Sequence, residues 1–259
     1  MLCLFGYSQN YTNLWQYTNG GINEDQIKDV KTDSQGNIYV LGSFHGTVDF
    51  DPGTAVYNMA TAFNHAEPDL FILKLDASGN FLWAKSFGSD LDNNEDPQAL
   101  ALDANNNVFA TGFNLGSIQF YNNGPYWNSG TGVGENTRPF IVKLDSLGVV
   151  QWGRAWKTNI GQESNGIVPQ DLIVDPVGNS YLTGTFSGNF DLDPNPQDTV
   201  IKYNDATYDG YVIKLDAQGN YESNWIAESQ ASWISTFNLT FDHVGKVVVV
   251  GKIKDSIDF

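Results

Sequence analysis

Apolar residues in this chain come in short runs that stop at polar turns. IYVLGSF (from Ile38), VFATGFN (from Val108), SYLTGTF (from Ser180) and VVVVGKI (from Val247) are four such runs, with glycines at Gly42, Gly112, Gly184 and Gly251. FILKLD (from Phe71), FIVKLD (from Phe140) and YVIKLD (from Tyr211) form a second set. A tryptophan marks the strand that follows: Trp15, Trp83, Trp152 and Trp225. All three sets recur at a spacing of about 70 residues, which marks an internal repeat. β-Branched and aromatic residues dominate the runs, and no segment sustains helical periodicity. The chain therefore reads as strands throughout.

The turns between the runs share one chemistry. One set is DSQGN at Asp33, DANNN at Asp103, DPVGN at Asp175 and DHVGK at Asp242; the other is DASGN at Asp76, DSLG at Asp145 and DAQGN at Asp216. Asp at the first position accepts a bond from the backbone two residues on. Glycine, replaced by Asn107 in the DANNN copy, supplies the positive φ that a type I turn with a bulge needs. Strands flank every turn, so each is a hairpin, and each period holds four strands in up-down order. In the second repeat they are QALALD (from Gln98), NVFATGF (from Asn107), FIVKLD and VQWGRAW (from Val150). Repeated four-stranded antiparallel units are the mark of β-propeller blades.

The expected fold is all-β. It comprises the Trp strand of a partial blade at 11–18, blade 1 at about 26–88, blade 2 at about 97–157, blade 3 at about 168–228 and a partial blade at 232–259. Three full blades with partial ones at both ends read as an incomplete stretch of a longer propeller, with a compact four-bladed ring as the alternative. The recurring tryptophans suit packing between blades.

NEDPQALALDANNNVFATGF, NEDQIKDVKTDSQGNIYVLGSF and VPQDLIVDPVGNSYLTGTF resemble the SBBP-type β-propeller repeats of secreted bacterial proteins. The long period and the VDFDPG segment resemble the variant found in surface proteins of Bacteroidetes-like bacteria. The resemblance spans nearly the whole chain from about Asn10. It implies a scaffold with binding surfaces and brings no catalytic residue set with it.

Composition narrows the partners. The 259 residues are 41% hydrophobic and 17% charged, with a net charge of −17. That balance disfavours nucleic acid and anionic membrane surfaces, and it permits cations, neutral sugars and basic proteins. Cys3 is the one cysteine, so there is no disulfide framework. MLCLFGYSQN looks like the tail of a secretory signal over residues 1–9; the other reading is an ordinary strand. No run approaches the about 18 apolar residues of a spanning helix. These features point to a secreted or cell-surface protein without membrane insertion.

The long loops after the second strand of each blade are the expected ligand face, because loops on a rigid scaffold carry recognition. Tyr57, Tyr121, Tyr126, Trp127, Tyr203 and Tyr208 lie in them among Asn and Asp, a mixture suited to stacking on a sugar ring. The alternative is that AVYNM and TVIKY form small extra hairpins and the aromatics pack locally. Asp49 with Asp51 in TVDFDPG, and Asp191 with Asp193 in NFDLDP, project to one side of an extended strand. They could begin a Ca²⁺ shell, with Glu24, Asp25, Glu95 and Asp96 as further ligands. Against this, the second repeat reads SIQFYNNG, and the Pro and Gly that follow are turn residues. Turn chemistry is the preferred reading, and no cofactor is required.

Catalytic patterns are mostly absent: acids for a glycoside-hydrolase carboxylate pair are plentiful, but nothing singles a pair out. His45, His65 and His243 occupy unrelated repeat positions, and there is neither a G-x-S-x-G elbow nor a phosphate loop. The expectation is a non-catalytic scaffold or binding module for a protein or glycan. The rivals are a carbohydrate-active propeller (lectin-like or glycoside hydrolase) and a calcium-stabilised adhesion module.

Overall fold

The computed structural model describes residues 2–7, 13–19, 24–61, 67–88, 95–115, 118–120, 137–156, 166–204, 208–229, 234–253 and 257–258. Every helix or strand element among them is a β-strand. The chain divides into two compact units, Met1–Pro97 and Gln98–Phe259.

In the first unit Leu2–Tyr7 (β1) pairs antiparallel with Asn13–Asn19 (β2), the strand that carries Trp15. Gln26–Thr32 (β3), Ile38–Phe44 (β4), Thr47–Asp49 (β5), Asn58–Ala60 (β6), Asp69–Leu75 (β7) and Phe81–Phe87 (β8) follow. β3-β4-β7-β8 form a four-stranded antiparallel sheet, while β5 and β6 pair as a small hairpin of their own.

Glu95–Leu102 (β9), within which the unit boundary falls, joins Val108–Asn114 (β10), Arg138–Leu144 (β11) and Val150–Ala155 (β12) in the second such sheet. The third contains Ile167–Val174 (β13), Ser180–Phe186 (β14), Asp209–Leu215 (β17) and Tyr221–Ser229 (β18), with Phe190–Asp191 (β15) and Ile201–Lys202 (β16) paired separately. Ile234–Phe241 (β19) and Val247–Ile253 (β20) pair with each other, and Ile257–Asp258 (β21) adds to the outer edge of β18.

The Asp turns close each hairpin by the same set of bonds. At Asp33, Oδ1 accepts from the backbone N–H of Gln35 and of Asn37, both at 2.9 Å, and Asn37 Nδ2 donates to Oδ2. Five of the seven turns add such an Asn, the others being Asn80, Asn107, Asn179 and Asn220. The motif is therefore Asp-x-x-Gly-Asn, a turn that satisfies both carboxylate oxygens. The residue with positive φ in the DANNN copy is Asn106 (φ 61°), one position before the Asn107 expected from sequence. Asn107 instead plays the donor part.

The repeated glycine of the second strand answers to a bulge. β3–β4 and β13–β14 slip register between Ile27 and Asp29 and between Pro169 and Asp171. A Cβ on Gly42 or Gly184 would stand 2.1 Å from the carbonyl oxygen of Gln26 or Val168. Only glycine admits that approach.

Pairing also corrects the tryptophan series. Trp83 lies opposite Lys74 and Trp152 opposite Lys143. Trp225 lies opposite Val212, and Ser223 holds the place opposite Lys214. The offset is two residues, so Trp225 keeps the same face but sits further along the strand. The Trp15 side chain lies outside the described residues.

Candidate functional site

The D-x-D-P segments are bound to their sheets by apolar residues. Val48 and Phe50 flank Asp49, Phe190 and Leu192 flank Asp191, and Ile118 and Phe120 hold the same places in the second repeat; all six are 0–2% exposed. Phe50 packs on Phe44 and Phe71 at 5.2 and 4.9 Å. Phe190 packs on Phe186 and Tyr211 at 5.6 and 5.3 Å, and Phe120 meets Phe140 at 6.1 Å. The acids between these plugs hold the loop backbone. Asp49 Oδ1 accepts from the N–H of Asp51 (3.0 Å) and of Tyr57 (2.8 Å), and Asp51 Oδ1 accepts from Gly53 N–H (2.7 Å). Asp191 Oδ1 accepts from Asp193 and Val200 N–H at 3.2 and 2.8 Å, and Asp193 Oδ1 from Asn195 N–H at 2.8 Å. Burial pushes the Asp193 carboxyl up, and the charges of Asp191 and Asp198 add to that. Among the described residues no group of three or more His, Cys, Asp or Glu is arranged to hold a metal ion.

The loop aromatics differ in placement. Tyr57 leans on Phe81 at 4.7 Å, and its hydroxyl donates to the Ala84 carbonyl. Tyr203 stands 70% exposed and Tyr208 43%. Tyr121, Tyr126 and Trp127 lie outside the described residues, as does His65. The first unit also holds a cavity of about 200 Å³ lined by Glu24, Gln26, Ser43, His45, Glu67, Pro68, Glu95 and Asp96. Three of the four acids named as possible helpers from sequence thus share one wall. The fourth, Asp25, is buried beside them and accepts from His45 N–H at 2.9 Å. Lys28 pairs with Asp96 at 2.9 Å. The cavity is strongly acidic and suits a cationic or hydrogen-bond-donating group.

Within the second unit, one sheet packs on the next through an Asp turn. Trp152 Nε1 donates to the Ala217 carbonyl at 3.0 Å, and Lys143 Nζ to the same oxygen at 3.2 Å. Arg154 donates to the Gln218 and Gly219 carbonyls at 2.8 and 2.9 Å. Lys74, Lys143 and Lys214 each lie over an aromatic ring of the neighbouring strand, those of Tyr39, Phe109 and Tyr181. Beside Trp225 the seam is open. Ser223, standing where the other sheets have Trp, leaves a pocket of about 360 Å³ walled by Tyr181, Val212, Lys214, Asn224, Trp225, Val247 and Val249.

Repeated four-stranded antiparallel sheets, each closed by Asp turns, define the class: this is an all-β protein built of β-propeller blades. Residues 155–191 match the SBBP family model, described as a beta-propeller repeat. A WD repeat-containing protein of Acanthamoeba polyphaga mimivirus is 28% identical over 204 residues. That similarity covers 71% of this chain and 14% of the viral protein, so the chain spans a small part of the relative's length.

Proposed function

We propose that the chain is a non-catalytic binding scaffold, secreted or displayed on a cell surface. The loops after the second strand of each blade form its ligand face, and a protein or a glycan is the ligand. The observation that carries this reading is how those loops are held. Apolar plugs with 0–2% exposure fix their bases, while Tyr203 stands 70% exposed beyond them. A rigid base with protruding side chains is how a scaffold gains affinity without ordering cost. A protein ligand is favoured by the acidic cavity of the first unit, whose chemistry fits a Lys or Arg side chain. The repeat similarity supports a scaffold in the same coarse sense.

The test is binding of the full chain to a glycan array and to a library of Lys- and Arg-containing peptides. Binding should weaken with salt and fall in a Glu24→Gln/Glu67→Gln variant or in Tyr203→Ala. It should survive Leu147→Ser in the exposed Asp145 turn. Polysaccharide hydrolysis abolished by one carboxylate substitution would overturn the non-catalytic reading.

A further inference from the structure

The acidic cavity of the first unit is rich in acceptors and short of donors. Its carboxylates come from three chain segments: Glu24 before β3, Glu67 before β7, and Glu95 with Asp96 at the start of β9. The nearby donors already face acids of the wall. Lys28 pairs with Asp96 at 2.9 Å, and Gln26 Nε2 donates to Glu24 Oε1 at 3.0 Å. His45 Nδ1 meets the Glu24 carbonyl, which only accepts, so Nδ1 carries the hydrogen and the neutral ring offers Nε2 as one more acceptor. Four carboxylates thus stand against one lysine, and Glu95 among them is 1% exposed.

Ser43 is an independent sign of a ligand. It lines the same cavity and is 6% exposed, and its side chain makes no hydrogen bond among the described residues. A buried hydroxyl is ordinarily satisfied, so this one marks a place for a group from outside.

Size and donor count set the class of that group. About 200 Å³ falls below the roughly 300–1,000 Å³ of small-molecule pockets, and it suits the head group of one side chain. An ammonium brings three donors on one strongly hydrated nitrogen. A guanidinium spreads five donors over a plane and sheds its water more readily. Acceptors arriving from separate segments, one of them buried, match the second.

Resting on the reading of the chain as a scaffold for a protein ligand, we propose that this cavity is an arginine-selective anchor. It takes the guanidinium of one Arg side chain of that ligand. Glu24, Glu67 and Glu95 are its charged acceptors, and the Ser43 hydroxyl is its neutral one.

The probe is a set of labelled peptides, identical but for a central Arg, Lys or citrulline, titrated with the full chain by fluorescence anisotropy. The Arg peptide should bind roughly tenfold tighter than the Lys peptide, because only the guanidinium reaches the dispersed acceptors together. The citrulline peptide, which keeps the shape without the charge, should not bind. Ser43→Ala should weaken the Arg peptide several-fold and narrow its lead over Lys, while Glu67→Gln should weaken both; urea midpoints show that each variant is folded. Equal binding of the Arg and Lys peptides overturns the selection of arginine and leaves the basic-ligand reading of the cavity intact. Binding of neither removes both. Arg-peptide binding unchanged in the two folded variants also overturns the proposal, because it puts the site elsewhere.

Discussion

Replacing Phe190 by alanine, and separately replacing Asp191 and Asp193 by asparagine, decides what the recurring D-x-D-P segment is for. Phe190 is wholly buried against Phe186 and Tyr211, so Phe190→Ala removes a packed ring and leaves a cavity. The loss should be about 3–5 kcal/mol. Asp191→Asn keeps an oxygen where Oδ1 accepts from Asp193 and Val200 N–H, and its cost should be about 1 kcal/mol or less. The folded state already disfavours a charge on Asp193, because burial and its neighbours Asp191 and Asp198 raise its pKa, so Asp193→Asn relieves repulsion. Urea unfolding at neutral pH, followed by tryptophan fluorescence with EDTA and again with millimolar Ca²⁺, measures both variants. The reasoning fails if the double asparagine variant loses more stability than Phe190→Ala. It fails equally if Ca²⁺ raises the urea midpoint of the native chain and leaves that of the asparagine variant unmoved.

Three further outcomes are expected. Gly219→Ala and Gly245→Ala impose the same left-handed strain (φ 78° and 81°), but a Cβ on Gly219 stands 2.9 Å from the Trp152 ring while Gly245 has nothing within 4 Å. Both should cost about 1–2 kcal/mol, Gly219→Ala measurably more, by urea midpoint. Acid should destabilise the chain through its turns. Burial pushes the Asp33 and Asp216 carboxyls up but is outweighed by hydrogen bonds from Asn37, Gln35 and Tyr39 at the first and from Asn220 and Gln218, with Arg154's charge, at the second. At Asp76 the Asn80 side chain and backbone do most of the lowering. With folded pKa values below the unfolded 3.8, the stabilisation is present at neutral pH and is lost as pH falls through those lowered values. Asp216→Asn should flatten that dependence in urea melts between pH 7 and about 3. Finally, Asn114 is fully buried and neither side-chain atom has a hydrogen-bond partner among the described residues. Asn114→Leu should therefore raise the melting temperature, by about 1–3 kcal/mol of added stability, and a lower melting temperature would refute the account.

Much of the architecture was legible because its causes are local. Turn chemistry and recurring apolar runs placed the twelve strands of the three complete sheets and all seven Asp hairpins. What escaped depended on pairing. Spacing alone put Trp225 in line with Trp152, whereas the ladder puts Ser223 there, and the pocket beside Trp225 follows from that difference. The plugs are a weaker signal in the sequence than the acids between them. Asp49 and Asp191 drew attention by their charge, yet the feature common to all three repeats is the apolar pair around them, and SIQFYNN retains it after losing both acids. The acidic cavity could be foreseen only as a repeated Asn-Glu-Asp, since separate chain segments must meet to build its walls.

Repeats of this kind supply their own controls, because each blade solves one packing problem with nearly the same residues. A departure at a buried position therefore costs stability unless something else compensates. The second blade departs at the paired positions Asn114 and Arg138, where the others have Phe44 with Asp69 and Phe186 with Asp209. Arg138 is 2% exposed, and burial holds its guanidinium below the usual arginine range. The third blade departs at Ser223. The Asp turns vary little across the chain, so the tight end of each blade is uniform in backbone geometry. Among the described residues these departures stand at the base of the second blade's long loop and at the seam beside Trp225. Because Asn114 and Arg138 are buried, substitutions at that pair should register in folding stability, the quantity that the Asn114→Leu melt reads.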